Sequence, residues 1–161
     1  MALFDLSKYD LSLVLEKPND NNVYKLGDKV KGKIELIVKK QFYSKGLTLR
    51  LIKESKITTK SKLDNKETTN TKQEFLFNEV LDADNNFKPN NNGLKLCKEW
   101  KFQMLISNTN EQGDKTLMQR YFDAFYPAKI VENYYVEVIF ELPWPHNNEI
   151  IKKNLIVEEK L

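Results

Sequence analysis

Hydrophobic and polar side chains alternate with a period of two along most of this chain. The first such segment, residues 9–16, has Tyr9, Leu11, Leu13 and Leu15 on one face, with Val14 as an apolar exception on the other. The same alternation recurs in residues 30–38, 47–51, 75–81, 100–106, 134–140 and 151–157. This period is typical of half-buried antiparallel strands, so the sequence predicts seven of them.

Turn-forming residues separate these segments. They occupy residues 18–22 (PNDNN), 27–28 (GD), 45–46 (KG), 90–93 (NNNG) and 143–145 (PWP). Glycine, asparagine, aspartate and proline each favour tight turns through their backbone preferences or local hydrogen bonds. Many short strands joined by such turns predict an all-β sandwich or barrel. A true immunoglobulin domain is disfavoured, because the chain lacks its Cys…Trp…Cys spacing.

Two segments depart from the strand pattern. Residues 58–72 (TTKSKLDNKETTNTK) are almost wholly polar, and we expect a long hairpin excursion that forms a mobile polar loop. Residues 114–126 are predicted to contain a short amphipathic helix, since Leu117, Tyr121 and Phe125 recur at helical spacing. Pro127 then prevents the helix from continuing.

Length and composition predict one globular domain. The chain has 161 residues, of which 40% are hydrophobic. The single cysteine, Cys97, excludes an internal disulfide and a cysteine-rich zinc site, and we expect it to be a small buried hydrophobe. The single histidine, His146, follows the Pro-Trp-Pro turn, where we expect it to be exposed. We therefore predict no catalytic residues, no metal and no cofactor.

The same reasoning predicts where the protein resides. No apolar stretch approaches the ~18–20 residues that a membrane span needs. The N-terminal segment MALFDLSKYD lacks the apolar region of a secretory leader. We expect a cytoplasmic protein that can associate with membrane surfaces peripherally.

Lysine dominates the basic residues. Only Arg50 and Arg120 are arginine among 26 basic residues, and the formal net charge is +3. Bidentate recognition of phosphate or guanine favours arginine, so scattered lysine predicts a solubilising surface and not a nucleic-acid interface.

The best basic patch lies along the second predicted strand. Lys29, Lys31 and Lys33 share its outward face, Lys39 and Lys40 extend it, and Arg50 is expected across from it. Glu35 interrupts this patch, and no aromatic side chain that could stack on bases shares its face. A solvated face is the prediction, with weak binding of anionic lipid or nucleic acid as the alternative.

Residues 24–34 carry a short signature of aromatic, glycine, acidic and aliphatic positions. Its members are Tyr24, Gly27, Asp28, Val30, Gly32 and Ile34. With the later segments SKGLTLRLIKESKI and NYYVEVIFELPWPHNNEIIKKNLIV, this signature resembles the N-terminal domain of the arrestin family, and the α-arrestins and Vps26-like retromer subunits look nearest. We expect Gly27 to adopt a positive φ, and Gly32 to leave room for a bulge or a closely packed aromatic ring.

The resemblance implies an antiparallel, immunoglobulin-like β-sandwich of the arrestin N-domain type that acts as a non-enzymatic adaptor or scaffold in trafficking or signalling. It also implies a protein or peptide partner. We expect this partner to pair with the exposed edge of the first strand at Tyr9, Leu11 and Leu13, because edge strands offer unpaired main-chain groups. The lysine face at Lys31, Lys33, Lys39 and Lys40 is the second candidate surface.

Alternatives and departures accompany this resemblance. A prokaryotic arrestin-like protein of the sporulation-control type would act as a stress or cell-envelope scaffold. A glycan-active sandwich enzyme would need two carboxylates ~5–9.5 Å apart in a cleft. Arrestins usually contain a second sandwich, so this chain is either a one-domain protein or part of a longer one. Residues 155–160 read LIVEEK where visual and β-arrestins place a phosphate-sensing arginine, so phosphate sensing is not expected.

Overall fold

The computed structural model describes residues 8–60, 65–89, 96–107 and 128–158. Their strands are β1 (Tyr9–Leu15), β2 (Tyr24–Lys25), β3 (Lys29–Val38), β4 (Phe42–Lys60), β5 (Glu67–Phe87), β6 (Leu96–Leu105), β7 (Ala128–Glu141), β8 (Glu149–Leu155) and β9 (Val157–Glu158). Each of the seven alternating segments overlaps a strand, so the predicted all-β class is confirmed. The helix predicted at 114–126 lies outside the described residues.

The strands form two antiparallel sheets that pack face to face. The front sheet has the order β1-β3-β6, and the back sheet has the order β5-β4-β7-β8. A short parallel pair, β2 with β9, joins Tyr24 to Val157 near the end of the described chain. The sheets do not close into a barrel, so of the two predicted architectures the sandwich is the one observed.

The core consists of the inward-facing members of each alternating strand. They include Val30, Ile34, Leu36 and Val38 of β3, Leu47, Leu49 and Leu51 of β4, and Val136, Val138 and Phe140 of β7, all essentially buried. Fully burying one aliphatic side chain of this size stabilises the fold by ~1.5–3 kcal/mol. The period of two read from the sequence therefore identifies the residues that hold the sheets together.

Four aromatic rings fill one end of this core. The Tyr9 ring centroid lies 5.0 Å from that of Phe42 and 5.2 Å from that of Phe140, and Phe42 lies 5.3 Å from Phe87. These separations suit stacked and edge-to-face aromatic pairs. Because Tyr9 belongs to β1 and Phe140 to β7, the cluster fastens the first strand to the back sheet.

The turn before β3 explains the first half of the 24–34 signature. Gly27 has a φ of +93°, a conformation that residues with a Cβ rarely adopt. The Asp28 carboxylate accepts a hydrogen bond from the Lys25 backbone N–H at 2.9 Å. Tyr24 is buried, and its hydroxyl donates to the Glu16 carbonyl at 3.0 Å. The positive φ predicted for Gly27 is confirmed.

Gly32 sits where three groups leave no space for a side chain. A Cβ on this residue would lie 2.5 Å from the Val14 carbonyl oxygen, 2.8 Å from the Phe102 ring and 3.1 Å from Leu15 Cδ2. The expectation of a closely packed aromatic ring is therefore confirmed, and the neighbouring aromatic residue is Phe102.

The hairpin of β4 and β5 corrects the loop predicted for residues 58–72. Its described residues are paired strand from Thr58↔Thr69 to Lys60↔Glu67, and residues 61–64 lie outside the description. The Thr58 and Thr69 hydroxyls lie 3.1 Å apart and are hydrogen-bonded. Threonine is stiff at χ1 and favours strands, which explains why a wholly polar segment still pairs.

Two expectations about single residues are wrong. Cys97 was expected to be buried, but it is exposed, because it shares the outward face of β6 with Glu99 and Lys101. His146 was expected to be exposed, but it is half-buried in a turn closed by its own N–H, which donates to the Pro143 carbonyl at 3.0 Å. The exposed aromatic residue of this turn is Trp144.

Candidate functional site

β1 lies at the edge of the front sheet. It pairs antiparallel with β3, from Tyr9↔Val38 to Leu15↔Gly32. Within the described ranges no strand pairs with its other side. The edge position predicted for the first strand is therefore confirmed for these residues, and its role in binding stays a prediction.

Two hydrogen bonds establish which β1 groups face β3. Glu16 N–H donates to the Lys31 carbonyl at 2.9 Å, and Lys39 N–H donates to the Lys8 carbonyl at 2.7 Å. Antiparallel pairs alternate between bonded and non-bonded positions, so the even-numbered β1 residues bond to β3. The main-chain groups that point away from β3 include those of Leu11, Leu13 and Leu15. We call these outward main-chain groups the β1 edge.

The side chains named for the binding edge turn out to belong mostly to the core. Tyr9 and Leu13 are 4% and 3% exposed, and Leu11 is partly buried against the same cluster. Alternation explains this, because residues whose main chain points to the edge here have side chains that face the back sheet. At Leu11 and Leu13, the edge offers a partner main-chain atoms rather than fully exposed side chains.

β8 of the back sheet contacts β1 through two charged side chains. Lys153 Nζ donates to the Leu13 carbonyl at 2.6 Å, and the Glu149 carboxylate accepts a hydrogen bond from the Tyr9 hydroxyl. Burial raises the pKa of the Tyr9 hydroxyl above its usual range, and the hydrogen bond to Glu149 raises it further. Both contacts join residues 140 positions apart, so β8 runs beside β1 in the same direction.

The inward side of β8 was not recognised as a site from the sequence. Glu149, Ile151 and Lys153, which we call the β8 row, fall on the parity of Leu155, a residue of the core cluster. Two charges on the inward parity of a strand are an unusual pattern, and sheet edges use it to block unwanted pairing. That pattern is the signal in the sequence that could have revealed these residues.

Two lysines of the front-sheet face have acidic neighbours. Lys33 Nζ lies 2.7 Å from a Glu35 carboxylate oxygen, and this hydrogen bond raises the pKa of Lys33. Lys39 Nζ lies 2.9 Å from Asp10. Lys40 follows β3 and is exposed. Two of the four predicted lysines, Lys33 and Lys39, therefore have acidic partners, and binding by this face stays a prediction.

A groove of about 380 Å³ crosses the same face. Its charged lining comprises Lys31, Lys33 and Lys101 together with Glu16 and Glu99. Carboxylates alternate with ammonium groups here, so the groove lacks the uniform positive potential that attracts phosphate polymers.

Arg50 does not lie across from the lysines, which corrects the expectation. It belongs to β4 and projects from the outer face of the back sheet. Its Nε donates to Asn78 Oδ1 at 3.1 Å, its Nη1 lies 3.6 Å from Glu137, and its guanidinium lies 5.2 Å from the Phe75 ring centroid. These contacts link Arg50 to neighbouring strands of the back sheet.

The groups that could support metal chemistry are dispersed in the described part of the chain. No cluster of three or more histidine, cysteine, aspartate or glutamate side chains is arranged there to hold an ion. The same residues contain no helix that is long and apolar enough to cross a membrane.

The two open, antiparallel sheets and the order of their strands define an arrestin-like β-sandwich. Among solved structures this fold is matched by Spo0M, the sporulation control protein of Bacillus subtilis, with a TM-score of 0.55 and 13% sequence identity. The match covers 94% of this chain and 49% of the Spo0M chain, so this chain spans about half the length of Spo0M. No family model matches the chain, and no curated protein matches its sequence.

Proposed function

We propose that this protein is a non-enzymatic interaction module of the arrestin type, which binds an extended segment of a partner protein along the β1 edge. The observation that carries the proposal is the orientation of the Leu11, Leu13 and Leu15 main-chain groups, which point away from β3. An added strand gains its affinity from main-chain hydrogen bonds to such an edge, and its specificity from side chains at alternate positions.

The proposed biological role is that of a regulatory scaffold or adaptor. The fold of Spo0M, a sporulation control protein, supports a role in regulation, such as a stress or cell-envelope scaffold. The resemblance of residues 24–34 to α-arrestins and Vps26-like subunits favours trafficking or signalling instead. In either role, the event that we propose is the capture of a partner strand at the β1 edge.

A pair of variants at Leu11 tests the proposal. Leu11→Pro removes an outward N–H from the β1 edge, whereas Leu11→Ala removes the same side chain and keeps the N–H. Extended peptides are selected on the wild-type protein from a random display library. We expect them to bind Leu11→Ala nearly as well as wild type, and to bind Leu11→Pro about five- to tenfold more weakly, since one lost hydrogen bond is worth ~1–1.5 kcal/mol.

Amide hydrogen exchange locates the bound peptide independently. A peptide on the β1 edge slows exchange at Leu11, Leu13 and Leu15, and leaves Ser12 and Val14 unchanged because those amides already bond to β3. Protection at any other set of amides, or equal binding to both Leu11 variants, contradicts the proposal.

A further inference from the structure

The back sheet is wider than the front sheet on the side of the sandwich where β1 forms the edge of the front sheet. Within the described residues the front sheet has three strands and the back sheet has four. On the opposite side the sheets are level, since Lys98 of β6 lies over the Phe87 ring of β5 with Nζ 5.2 Å from the centroid. β8 therefore underlies the position that a fourth front-sheet strand would occupy, beside β1.

The β8 row supplies the floor of this position. Because Glu149 contacts Tyr9 and Lys153 contacts Leu13, the intervening Ile151 lies level with Leu11. Ile151 and Leu11 are both partly buried and packed against the core. In the direction in which β1 runs, the floor therefore consists of an acidic residue (Glu149), an apolar residue (Ile151) and a basic residue (Lys153).

Lys153 stands where a partner strand must bind. Its ammonium group donates a hydrogen bond to the Leu13 carbonyl, which is one of the acceptors that an added strand needs. When a partner N–H takes over that carbonyl, the ammonium group of the exposed Lys153 loses this partly buried hydrogen bond and needs a new acceptor. A carboxylate on the partner strand satisfies this requirement best, because a charge-assisted bond is stronger than a neutral one.

We propose, on the basis of the proposed function, that the partner is an extended segment with the inward pattern acidic-x-apolar-x-basic, read from its N-terminus and bound antiparallel to β1. Its acidic side chain pairs with Lys153, its apolar side chain covers Ile151, and its basic side chain pairs with Glu149. Antiparallel pairing continues the arrangement of β1, β3 and β6 and is the commoner geometry.

Two peptides of identical composition test the pattern. The matched peptide is acetyl-Thr-Asp-Thr-Val-Thr-Lys-Thr-amide, and the reversed peptide exchanges its Asp and Lys. Fluorescence anisotropy with the full chain is expected to give about tenfold tighter binding for the matched peptide, since two partly exposed ion pairs contribute ~0.5–1 kcal/mol each. The preference is expected to shrink as salt is raised.

Charge exchange in the protein provides the decisive comparison. The double variant Glu149→Lys with Lys153→Glu is expected to prefer the reversed peptide. Lys153→Met, which approximately keeps the length of the side chain, is expected to reduce the preference for the matched peptide about threefold. It replaces the double variant as the test if the double variant does not fold. Lys152→Met is the control, because Lys152 points to the outer face and lies 3.8 Å from the Tyr135 ring centroid.

The outcomes separate the two proposals. Equal binding of both peptides to wild type, with loss of both in Leu11→Pro, leaves strand pairing intact and overturns the charge pattern. A preference for the reversed peptide in wild type also overturns it. Binding that Leu11→Pro leaves unchanged overturns strand pairing itself. Failure of both peptides to bind at about 1 mM, where a library-selected peptide binds, overturns the charge pattern alone.

Discussion

The Val14 carbonyl oxygen lies 2.5 Å from the point where a Cβ on Gly32 would be placed. The neighbouring strands β1 and β3 approach at this point with the Phe102 ring packed over the glycine, 2.8 Å from the same point. A backbone oxygen cannot move aside as the end of a flexible side chain can. Gly32 is therefore a requirement of the packing of β1, on which the proposed binding edge depends.

Replacing Gly32 is expected to destabilise the fold. Gly32→Ala forces the Val14 backbone or the Phe102 ring to shift, and overpacking of this kind costs ~1–3 kcal/mol. Gly46→Ala is the matched control, because its Cβ would lie 3.3 Å from the nearest atom, the Asp82 carbonyl oxygen. Urea unfolding measures both variants. An equal loss of free energy of unfolding in the two would show that the close approach at Gly32 has no special cost.

Removing the Tyr9 hydroxyl is expected to lower stability and to change its dependence on pH. Tyr9→Phe loses a partly buried hydrogen bond to the Glu149 carboxylate, which is worth ~1.5–3 kcal/mol. The folded-state pKa of Tyr9 is raised above 10.0, so its stabilising contribution is complete below that pH and is lost as the pH rises further. Wild type should therefore lose more stability than Tyr9→Phe between about pH 9 and pH 11.

Tyr43→Phe is the control for this effect. The Tyr43 hydroxyl donates to Asp84 at 2.6 Å, but this bond is exposed to solvent. Its removal is expected to change the free energy of unfolding by less than about 0.5 kcal/mol. If the two phenylalanine variants unfold alike at every pH, the Tyr9–Glu149 contact does not stabilise β1.

Removing the charge of Lys153 is expected to expose the β1 edge to pairing with other molecules. Lys153→Met frees the Leu13 carbonyl and removes an inward charge, and unprotected edges favour association between chains. Light scattering over a range of concentrations is expected to show self-association that Lys152→Met lacks. A monodisperse Lys153→Met protein with unchanged scattering would mean that Lys153 does not protect the edge.

The acidic residues of the lysine face are expected to limit its binding to anionic lipid. Glu35→Gln with Glu99→Gln unmasks Lys33 and removes two repulsive charges, each worth ~1 kcal/mol near a membrane. Binding to phosphatidylserine vesicles at low salt should rise by up to about thirtyfold and fall again near 0.2 M salt. The exposed pair Glu67→Gln with Glu79→Gln on β5 is the control, and an equal rise there would assign the effect to net charge.

The strands and the core could be predicted from the sequence because one local rule determines them. Alternation assigns each side chain to a face. Gly27 and Gly32 indicate positions where the backbone needs a positive φ or has no space for a Cβ. Features that depend on which strands become neighbours could not be predicted. Arg50 was expected across from the lysine patch but lies on the back sheet, because alternation gives the face of a strand and not its neighbours.

The candidate site also has a part that could be predicted from the sequence and a part that could not. The edge position of β1 followed from the resemblance, but the contacts of Glu149 and Lys153 join residues 140 positions apart and depend on how the two sheets meet. For the polar segment 58–72 the hairpin was predicted, but the loop was not observed in its described residues. Its near-absence of apolar residues gave no alternation from which the strand pairing of its threonines could be predicted.

The short β2–β9 pair has a consequence for how the chain is made. Tyr24 N–H donates to the Ile156 carbonyl at 2.8 Å. The hydrogen bonds of β2 are therefore complete only after the last described strand, β9, has joined the fold. Contacts between such distant residues slow folding, because a long loop must close before they form. On the ribosome, the emerging chain therefore holds an incomplete sandwich until residues 149–158 leave the exit tunnel. Until then the contacts of Glu149 and Lys153 with β1 are missing, and the incomplete sandwich exposes apolar surface that favours misassembly.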